Sequence, residues 1–149
     1  MEKYRELIFC PVKLGDIPYL LDLRKRTMNE HLKNMNMPID DQNHLKRVKY
    51  HFENGFIVFN GKEKVGFLKY VYEETKIYLV QIQVEPKCQG QGVGNQLLQY
   101  LVDKSDKLKF EIYLEVLKKN PARKLYEKFG FRITGEDEFS YEMNREAKI

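Results

Sequence analysis

The sequence predicts one mixed α/β domain over residues 1–149, in which helices flank a single sheet. Two observations support this fold class. The apolar fraction of 42% is enough to build a core in a chain of 149 residues. Apolar residues recur at helical spacing in some segments and form short runs bounded by turn residues in others. Because no internal repeat or linker separates these segments, we expect them to form one domain.

The first third of the chain is predicted to form a strand and two helices. Residues 7–9 are apolar and predict a short strand. A helix is expected to begin at Asp16, which would act as the cap, with Pro18 in its first turn. A second helix is predicted over residues 41–54, where apolar side chains lie on one face.

The remainder predicts a three-stranded antiparallel meander followed by two helices and three further strands. The dipeptide Asn60-Gly61 indicates a hairpin turn. The helix expected near the C-terminus has Pro121 in its first turn, and Gly130 follows its end. The predicted order is therefore β-α-α-β-β-β-α-β-α-β-β. The ranges are strands at 55–59, 65–72, 77–84, 110–117, 131–134 and 138–143, and helices from 94 to about 103 and from 121.

Composition argues against several classes of protein. No apolar run approaches the ~20 residues that span a membrane, and no signal-peptide segment is visible, so we expect a cytoplasmic protein with no membrane partner. The net charge of +4 is spread along the chain without a basic block, and we expect no nucleic-acid partner. Cys10 and Cys88 form no CxxC pair, so neither a disulfide framework nor a metal site is predicted.

The most informative segment has three glycines at alternate positions, Gly90, Gly92 and Gly94, between a strand and a helix. Glycine permits positive φ angles and leaves no Cβ, so backbone N–H groups can converge on a ligand. At a helix start these groups and the helix dipole favour an anion. The segment therefore predicts a phosphate cradle, and a glycine-rich turn without a ligand is the alternative.

Two common nucleotide fingerprints do not match this segment. A dinucleotide-binding fold requires GxGxxG, but Asn95 stands where the third glycine belongs. The P-loop pattern GxxxxGK[ST] is approached only at residues 55–62, with one residue too many and Glu63 in place of Ser or Thr. Physical reasoning thus leaves open which phosphate ligand the loop would hold.

Two motifs resemble those of the GNAT superfamily of N-acetyltransferases. Gln89-x-x-Gly92-x-Gly94 is similar to that family's pyrophosphate motif, [Q/R]-x-x-G-x-[G/A]. Downstream, an Asn is followed by a helix that ends in Leu-Tyr-x-x-x-Gly-Phe, which resembles the family's second signature. These motif segments cover residues 79–131, and the order of elements extends the resemblance to most of the chain.

The resemblance implies the GNAT fold, a mostly antiparallel sheet whose parallel central pair splays apart to admit coenzyme A, with about four helices. It implies acetyl-coenzyme A as co-substrate and an amine as acceptor. Residues that would contact the coenzyme are expected on the central strand, in the loop and before the last helix: Ile82, Gln83, Val84, Gln89, Gly90, Gln91, Gly92, Val93, Gly94, Asn95 and Asn120. Asn120 precedes the motif tyrosine by six residues, one fewer than is usual in the family.

Two residues are candidates for catalysis. By resemblance, Tyr126 would protonate the departing thiolate, while its apolar helix face indicates a core tyrosine as the alternative. Glu115 lies in an otherwise apolar strand, where a half-buried carboxylate is costly unless it is paired or used. It resembles the base of ribosomal-protein N-terminal acetyltransferases, and a rim glutamate or one that orders water are the alternatives.

The acceptor is not identified by the sequence. By resemblance, the first two helices and their connection, residues 26–38, would shape its site, and three methionines there indicate either an adaptable wall or ordinary packing. The acidic turn 136–138 could attract a cationic amine. A small amine, a peptide N-terminus and a lysine all stay open, as do a monomer and a homodimer. The rival function is non-catalytic: an acyl-coenzyme A sensor or a partner-binding module on the same fold.

Overall fold

The computed structural model describes residues 6–148, so residues 1–5 and 149 of the predicted domain lie outside the described residues. The predicted order of elements is confirmed. The helices are α1 (Ile17–Asn34), α2 (Asp41–Lys49), α3 (Val93–Leu108) and α4 (Ala122–Lys128). The strands are β1 (Ile8–Pro11), β2 (Gly55–Asn60), β3 (Glu63–Glu73), β4 (Lys76–Val84), β5 (Glu111–Leu117), β6 (Arg132–Glu136) and β7 (Ser140–Arg145).

The seven strands form one mixed sheet in the order β1-β2-β3-β4-β5-β7-β6, which confirms the predicted fold class. Antiparallel pairing joins β1 to β2, β2 to β3, β5 to β7 and β6 to β7. Strands β4 and β5 are parallel, and their register runs from Lys76↔Glu111 to Tyr78↔Tyr113. Strand β4 continues beyond that register to Val84.

The chain divides into two compact units. Unit 1 contains the residues up to Lys69 and the segment Gln81–Gly94, and unit 2 contains Tyr70–Val80 and the residues from Asn95 onward. A single domain over residues 1–149 therefore stays a prediction.

Unit 1 has its apolar core beneath α1. Leu20 and Leu23, one helical turn apart, cluster with Val48 of α2 and with Ile57 and Phe67 of the sheet. The 3-10 turn 14–16 precedes α1, and Asp16 stands at the cap position. Its carboxylate accepts the N–H of Lys13 at 2.8 Å and makes no capping bond to α1, so the predicted capping role of Asp16 is wrong.

Helix α2 ends at Lys49, five residues before the predicted end, because Tyr50 turns to an extended conformation with ψ 116° and His51 takes a positive φ of 52°. A buried cation binds the carbonyls at this end. The Lys69 Nζ donates to the carbonyl oxygens of Arg47, Val48 and Tyr50 at 3.2, 3.0 and 2.6 Å. Lys69 lies on β3 and is 0% exposed. A positive charge at a helix C-terminus is favourable, and these carbonyls have no partner within the helix.

In unit 2, α3 runs to Leu108, beyond the predicted end near residue 103. Side-chain hydrogen bonds to residues beyond the helix accompany the added turn. The buried Ser105 donates its hydroxyl to the carbonyl of Phe110, and Arg145 of β7 donates to Asp106 at 3.0 Å. These partners lie outside the helix, so periodicity alone did not reveal them.

Candidate functional site

The glycine-rich loop lies directly between the end of β4 and the start of α3. After the 3-10 turn Pro86–Cys88, Gly90 and Gly92 adopt φ angles of +79° and +88°. These angles are in the region that favours glycine. An ideal Cβ at either position would meet no heavy atom within 4 Å. The glycines are therefore needed for backbone conformation and leave open space above the loop.

The surroundings of the loop hold this shape. Cys88 and Val93 are buried on either side of the two glycines, which agrees with a structural role for Cys88. The Gln89 side-chain amide donates to the carbonyl of Val84 at 3.3 Å, and α3 begins at Val93. The first N–H groups of a helix have no acceptor inside it, so the loop can present donors to an anion.

The end of β4 directs its backbone groups alternately to two sides. An ideal Cβ on Gly66 of β3 would lie 2.5 Å from the carbonyl oxygen of Gln83, and the Glu85 N–H donates to the carbonyl of Val65 at 2.9 Å. The carbonyl of Gln83 therefore faces β3 and does not support the expected coenzyme contact. By alternation, the backbone groups of Ile82 and Val84 point the other way.

A buried carboxylate stands immediately before the loop. Glu85 is 6% exposed, accepts from Tyr19 Oη at 2.5 Å, and accepts from Arg26 Nη1 at 2.6 Å. The hydrogen bond from Arg26 lowers the pKa of Glu85, while burial opposes it. Sequence reasoning missed this group because its partners are 59 and 66 residues away.

Tyr126 is buried in unit 2 at 7% exposure, and its ring lies 5.8 Å from the ring of Phe131. Its backbone carbonyl accepts the N–H of Phe129 and of Phe131, with Gly130 at a φ of +94°. The hydroxyl of Tyr126 has no hydrogen-bond partner among residues 6–148. Burial raises the pKa of this phenol, so it keeps its proton at neutral pH. The ring thus belongs to the core while the hydroxyl can still donate.

Asn120 has a local structural role. Its Oδ1 accepts the backbone N–H of Ala122 at 2.9 Å, at the start of α4. This bond satisfies one of the free donors at the helix N-terminus. It gives the motif asparagine a function without the coenzyme, so the expected pantetheine contact of Asn120 receives no support from the geometry.

Glu115 is exposed on β5, which contradicts the expected half-buried setting. In the antiparallel register it stands directly opposite Glu142 of β7. The buried side chains of this strand, Leu114 and Val116, alternate with it and so point to the opposite face. Burial therefore gives no reason to assign Glu115 a function.

Glu115 lines a cleft of about 160 Å³ in unit 2 that is dominated by acidic side chains. The Asp137 Oδ1 accepts the N–H of Phe139 and of Ser140, and these bonds lower the pKa of Asp137. The predicted acidic turn is thus organised by its own backbone. The lining residues are Glu115, Glu136, Asp137, Ser140, Tyr141 and Glu142.

The fold and the loop are those of a known family, and a family model for acetyltransferase (GNAT) proteins matches residues 18–131. The matched range covers well over half of the chain. The chain belongs to the GNAT acetyltransferase family. It is an enzyme of the acetyltransferase class, and the resemblance inferred from its two motifs is confirmed.

Solved structures with the GNAT fold superimpose over nearly all of the chain. An N-acetyltransferase, PaiA from Thermoplasma acidophilum, in complex with coenzyme A, matches with a TM-score of 0.73 and 15% identity over 95% of this chain and 99% of that one. A ribosomal-protein alanine N-acetyltransferase from Escherichia coli matches with a TM-score of 0.71 and 20% identity over 97% and 96%. A spermidine N-acetyltransferase chimera from Vibrio cholerae and hSSAT matches with a TM-score of 0.67 and 24% identity over 95% and 96%. At these identities the likeness shows the fold alone.

No curated protein matches this GNAT sequence. Within residues 6–148, none of the helices combines the length and the apolar character needed to cross a membrane. The same residues contain no group of three His, Cys, Asp or Glu side chains arranged to hold a metal ion.

The two units divide the candidate residues of this GNAT protein. Unit 1 holds the predicted coenzyme contacts of β4 and of the loop as far as Gly94. Unit 2 holds Asn95 at the start of α3, Glu115 on β5, and Asn120 and Tyr126 at α4.

Proposed function

We propose that this GNAT acetyltransferase moves the acetyl group of acetyl-coenzyme A onto a primary amine of an acceptor. The observation that carries the proposal is the loop at Gly90 and Gly92, whose positive φ angles and open surface precede a 16-residue helix. A diphosphate fits a cradle of this kind because backbone N–H groups and the helix dipole favour its charge. A relative solved with coenzyme A supports the choice of ligand.

In this proposal the backbone from Gly90 to Asn95 holds the pyrophosphate, with the side chains of Gln89 and Val93 supporting the loop. The outward backbone groups of Ile82 and Val84 hold the pantetheine arm, and they lie beyond the paired segment of β4. The geometry favours these two residues over Gln83, whose carbonyl faces β3.

The thioester supplies an activated acetyl group, so the chain mainly has to position the amine and manage two protons. A C–N bond forms to the amine nitrogen as the C–S bond breaks. The amine nitrogen loses its proton either to Glu115 or to a water molecule that Glu115 orders. Tyr126 donates its phenolic proton to the thiolate, and its hydroxyl, which has no hydrogen-bond partner among residues 6–148, is available for that role.

The acceptor is a small molecule, a peptide N-terminus or a lysine side chain. Relatives of the same fold are named for spermidine and for the alanine of a ribosomal protein, which shows that the fold accommodates both small amines and proteins. We further propose a cytoplasmic enzyme that acts as one domain, as a monomer or homodimer.

An amine panel tests the proposal directly, with thiol release from acetyl-coenzyme A as the signal. We expect at least one amine to release thiol above the rate without acceptor. Acetyl-coenzyme A should also raise the melting temperature more than NAD or ATP does, because a ligand that binds only the native state stabilises it. Stabilisation by acetyl-coenzyme A with no reactive amine would instead favour a sensor.

A further inference from the structure

Arg24 is a nearly buried cation without a hydrogen-bond acceptor among residues 6–148. It lies on the sheet-facing side of α1 and is 9% exposed. The Nε of its guanidinium is buried and has no hydrogen-bond partner within the described range. Burying an unpaired charge is costly, so such groups are normally paired.

The charged group that acts on Arg24 is a second cation, so the positive charge of Arg24 is not neutralised by an anion among residues 6–148. Helix α2 packs against α1 and carries Arg47. Burial, and to a smaller extent the charge of Arg47, lower the pKa of Arg24 to about 10. Arg24 is still cationic at neutral pH. The pKa of the buried Lys69 is lowered mainly by its burial and further by the charges of Arg47 and Arg24.

His44 of α2 adds no negative charge to this cluster. It is 1% exposed, and its Nε2 lies 2.6 Å from the Asn29 Oδ1. Burial, followed by the charge of Arg24, lowers the pKa of His44 and favours the neutral ring.

A second buried donor lies under α1. Gln81 of β4 is 8% exposed, and its Nε2 has no hydrogen-bond partner among the described residues. Gln81, Gln83 and Glu85 occupy every second position, so their side chains lie on the same face. On that face Glu85 accepts hydrogen bonds from Tyr19 and Arg26 of α1. Gln81 is therefore on the face that α1 covers. Unit 1 thus contains two buried donors, Arg24 Nε and Gln81 Nε2, for which residues 6–148 provide no acceptor.

We propose that Arg24, with Arg47 beside it, binds an oxyanion, and we assign this anion to a carboxylate of the acceptor amine. The planar guanidinium matches a carboxylate in two-pronged geometry. Arg47 is exposed and offers an approach from solvent, whereas the burial of Arg24 suits a small anion. The assignment rests on the proposed function and narrows the acceptor to amines that also carry a carboxylate.

The test compares amino acids with their carboxamides as acceptors, again by thiol release. We expect the wild type to prefer the carboxylates, and Arg24→Met to reduce kcat/KM for them at least about tenfold while changing the carboxamides little. Lys33→Met, which removes an exposed charge from the same helix, should leave the preference intact. Equal losses for both classes in Arg24→Met, or a wild type that reacts only with amines lacking a carboxylate, would overturn the assignment. Absence of thiol release with every amine would defeat the proposed function as well.

Two further measurements separate the alternatives. Coenzyme A and dephospho-coenzyme A are titrated calorimetrically into wild type and Arg24→Met, and we expect the substitution to change neither affinity. Weaker binding of coenzyme A alone would assign the anion to the coenzyme's phosphate. The melting temperature of ligand-free Arg24→Met should equal or exceed that of the wild type, because an unpaired buried charge is removed. A clear decrease would make Arg24 a structural residue and contradict the proposal.

Discussion

Arg26 of α1 and Glu85 at the end of β4 form a salt bridge with an Nη1–Oε1 distance of 2.6 Å. The backbone carbonyl of Glu85 in turn accepts the N–H of Cys88 at 2.8 Å, which closes the 3-10 turn before the glycine-rich loop. The salt bridge thus joins the first helix to the segment that presents the proposed phosphate cradle.

Replacing Arg26 by Gln should lower the free energy of unfolding by about 1–3 kcal/mol at pH 7, since a buried carboxylate loses its charged donor. Arg26 also binds Asp22, whose side chain is exposed, so Asp22→Asn should cost less than about 1 kcal/mol. Urea denaturation measures both.

The effect of Arg26→Gln should also depend on pH. Because the pKa of Glu85 in the folded state lies below its ordinary value of 4.5, its contribution is present above that value and is lost as the pH falls. The stability difference between wild type and variant should therefore narrow below about pH 4.5. A difference that is constant from pH 7 to pH 3 would refute this account.

Lys69→Met should change how stability varies at alkaline pH. The pKa of Lys69 is about 8 in the fold, against 10.5 in an exposed lysine. Between these values the unfolded chain binds more protons, so Lys69 makes the wild type more stable as the pH rises. The stability of wild type relative to Lys69→Met should increase from pH 8 to 10.5, measured by denaturant titration. Lys49→Met, which removes an exposed positive charge at the end of α2, is the matched control.

Gly92→Asp should weaken coenzyme A binding at least tenfold, about 1.4 kcal/mol, because it places a carboxylate where the pyrophosphate is proposed to lie. Gly61→Asp is a matched control, since Gly61 also has a positive φ of 63° and open space at its Cβ, but lies in the β2–β3 turn. Calorimetry on both variants separates backbone strain from loss of the site. If Gly92→Asp and the wild type bind coenzyme A with equal affinity, the proposal that the pyrophosphate binds at this loop is wrong.

Tyr126→Phe should reduce kcat by roughly 10- to 1000-fold, the range for loss of one general acid. The ring packing against Phe131 is retained, so the melting temperature and coenzyme A affinity should change little. Tyr72→Phe, an exposed tyrosine of unit 2, serves as the control and should retain activity. If Tyr126→Phe is as active as the wild type, Tyr126 is only a core residue.

Glu115→Gln should abolish the rise of rate with pH that a deprotonated base produces. The matched control is Glu142→Gln, because Glu142 stands opposite Glu115 in the same acidic cleft. If the rise of rate with pH is lost in Glu115→Gln and retained in Glu142→Gln, the result supports Glu115 as the general base. If the Glu115→Gln profile equals that of the wild type, water or the ionisation of the amine itself accounts for the rise. Both kinetic tests use the first amine found in the panel.

Local chemistry made much of the molecule predictable from the chain alone. The order of elements follows from hydrophobic periodicity, and the β2–β3 turn follows from Asn60-Gly61. The shape of the loop follows from Gly90 and Gly92, because positive φ angles are accessible to glycine at little cost. The two motifs that resemble the GNAT family lie in segments of this kind, where spacing along the chain is enough to identify the family.

Only the tertiary structure decided which polar groups are buried and paired. Glu85 meets Arg26 and Tyr19 across 59 and 66 residues, and α2 ends where Lys69 of another element binds its carbonyls. Arg24 shares an apolar helix face, yet the buried Nε of its guanidinium has no acceptor in the part of the chain that the structure describes. Glu115, expected to be half-buried, is exposed. Burial and pairing depend on which distant segments pack together, and sequence periodicity specifies the face of an element without specifying the partner across from it.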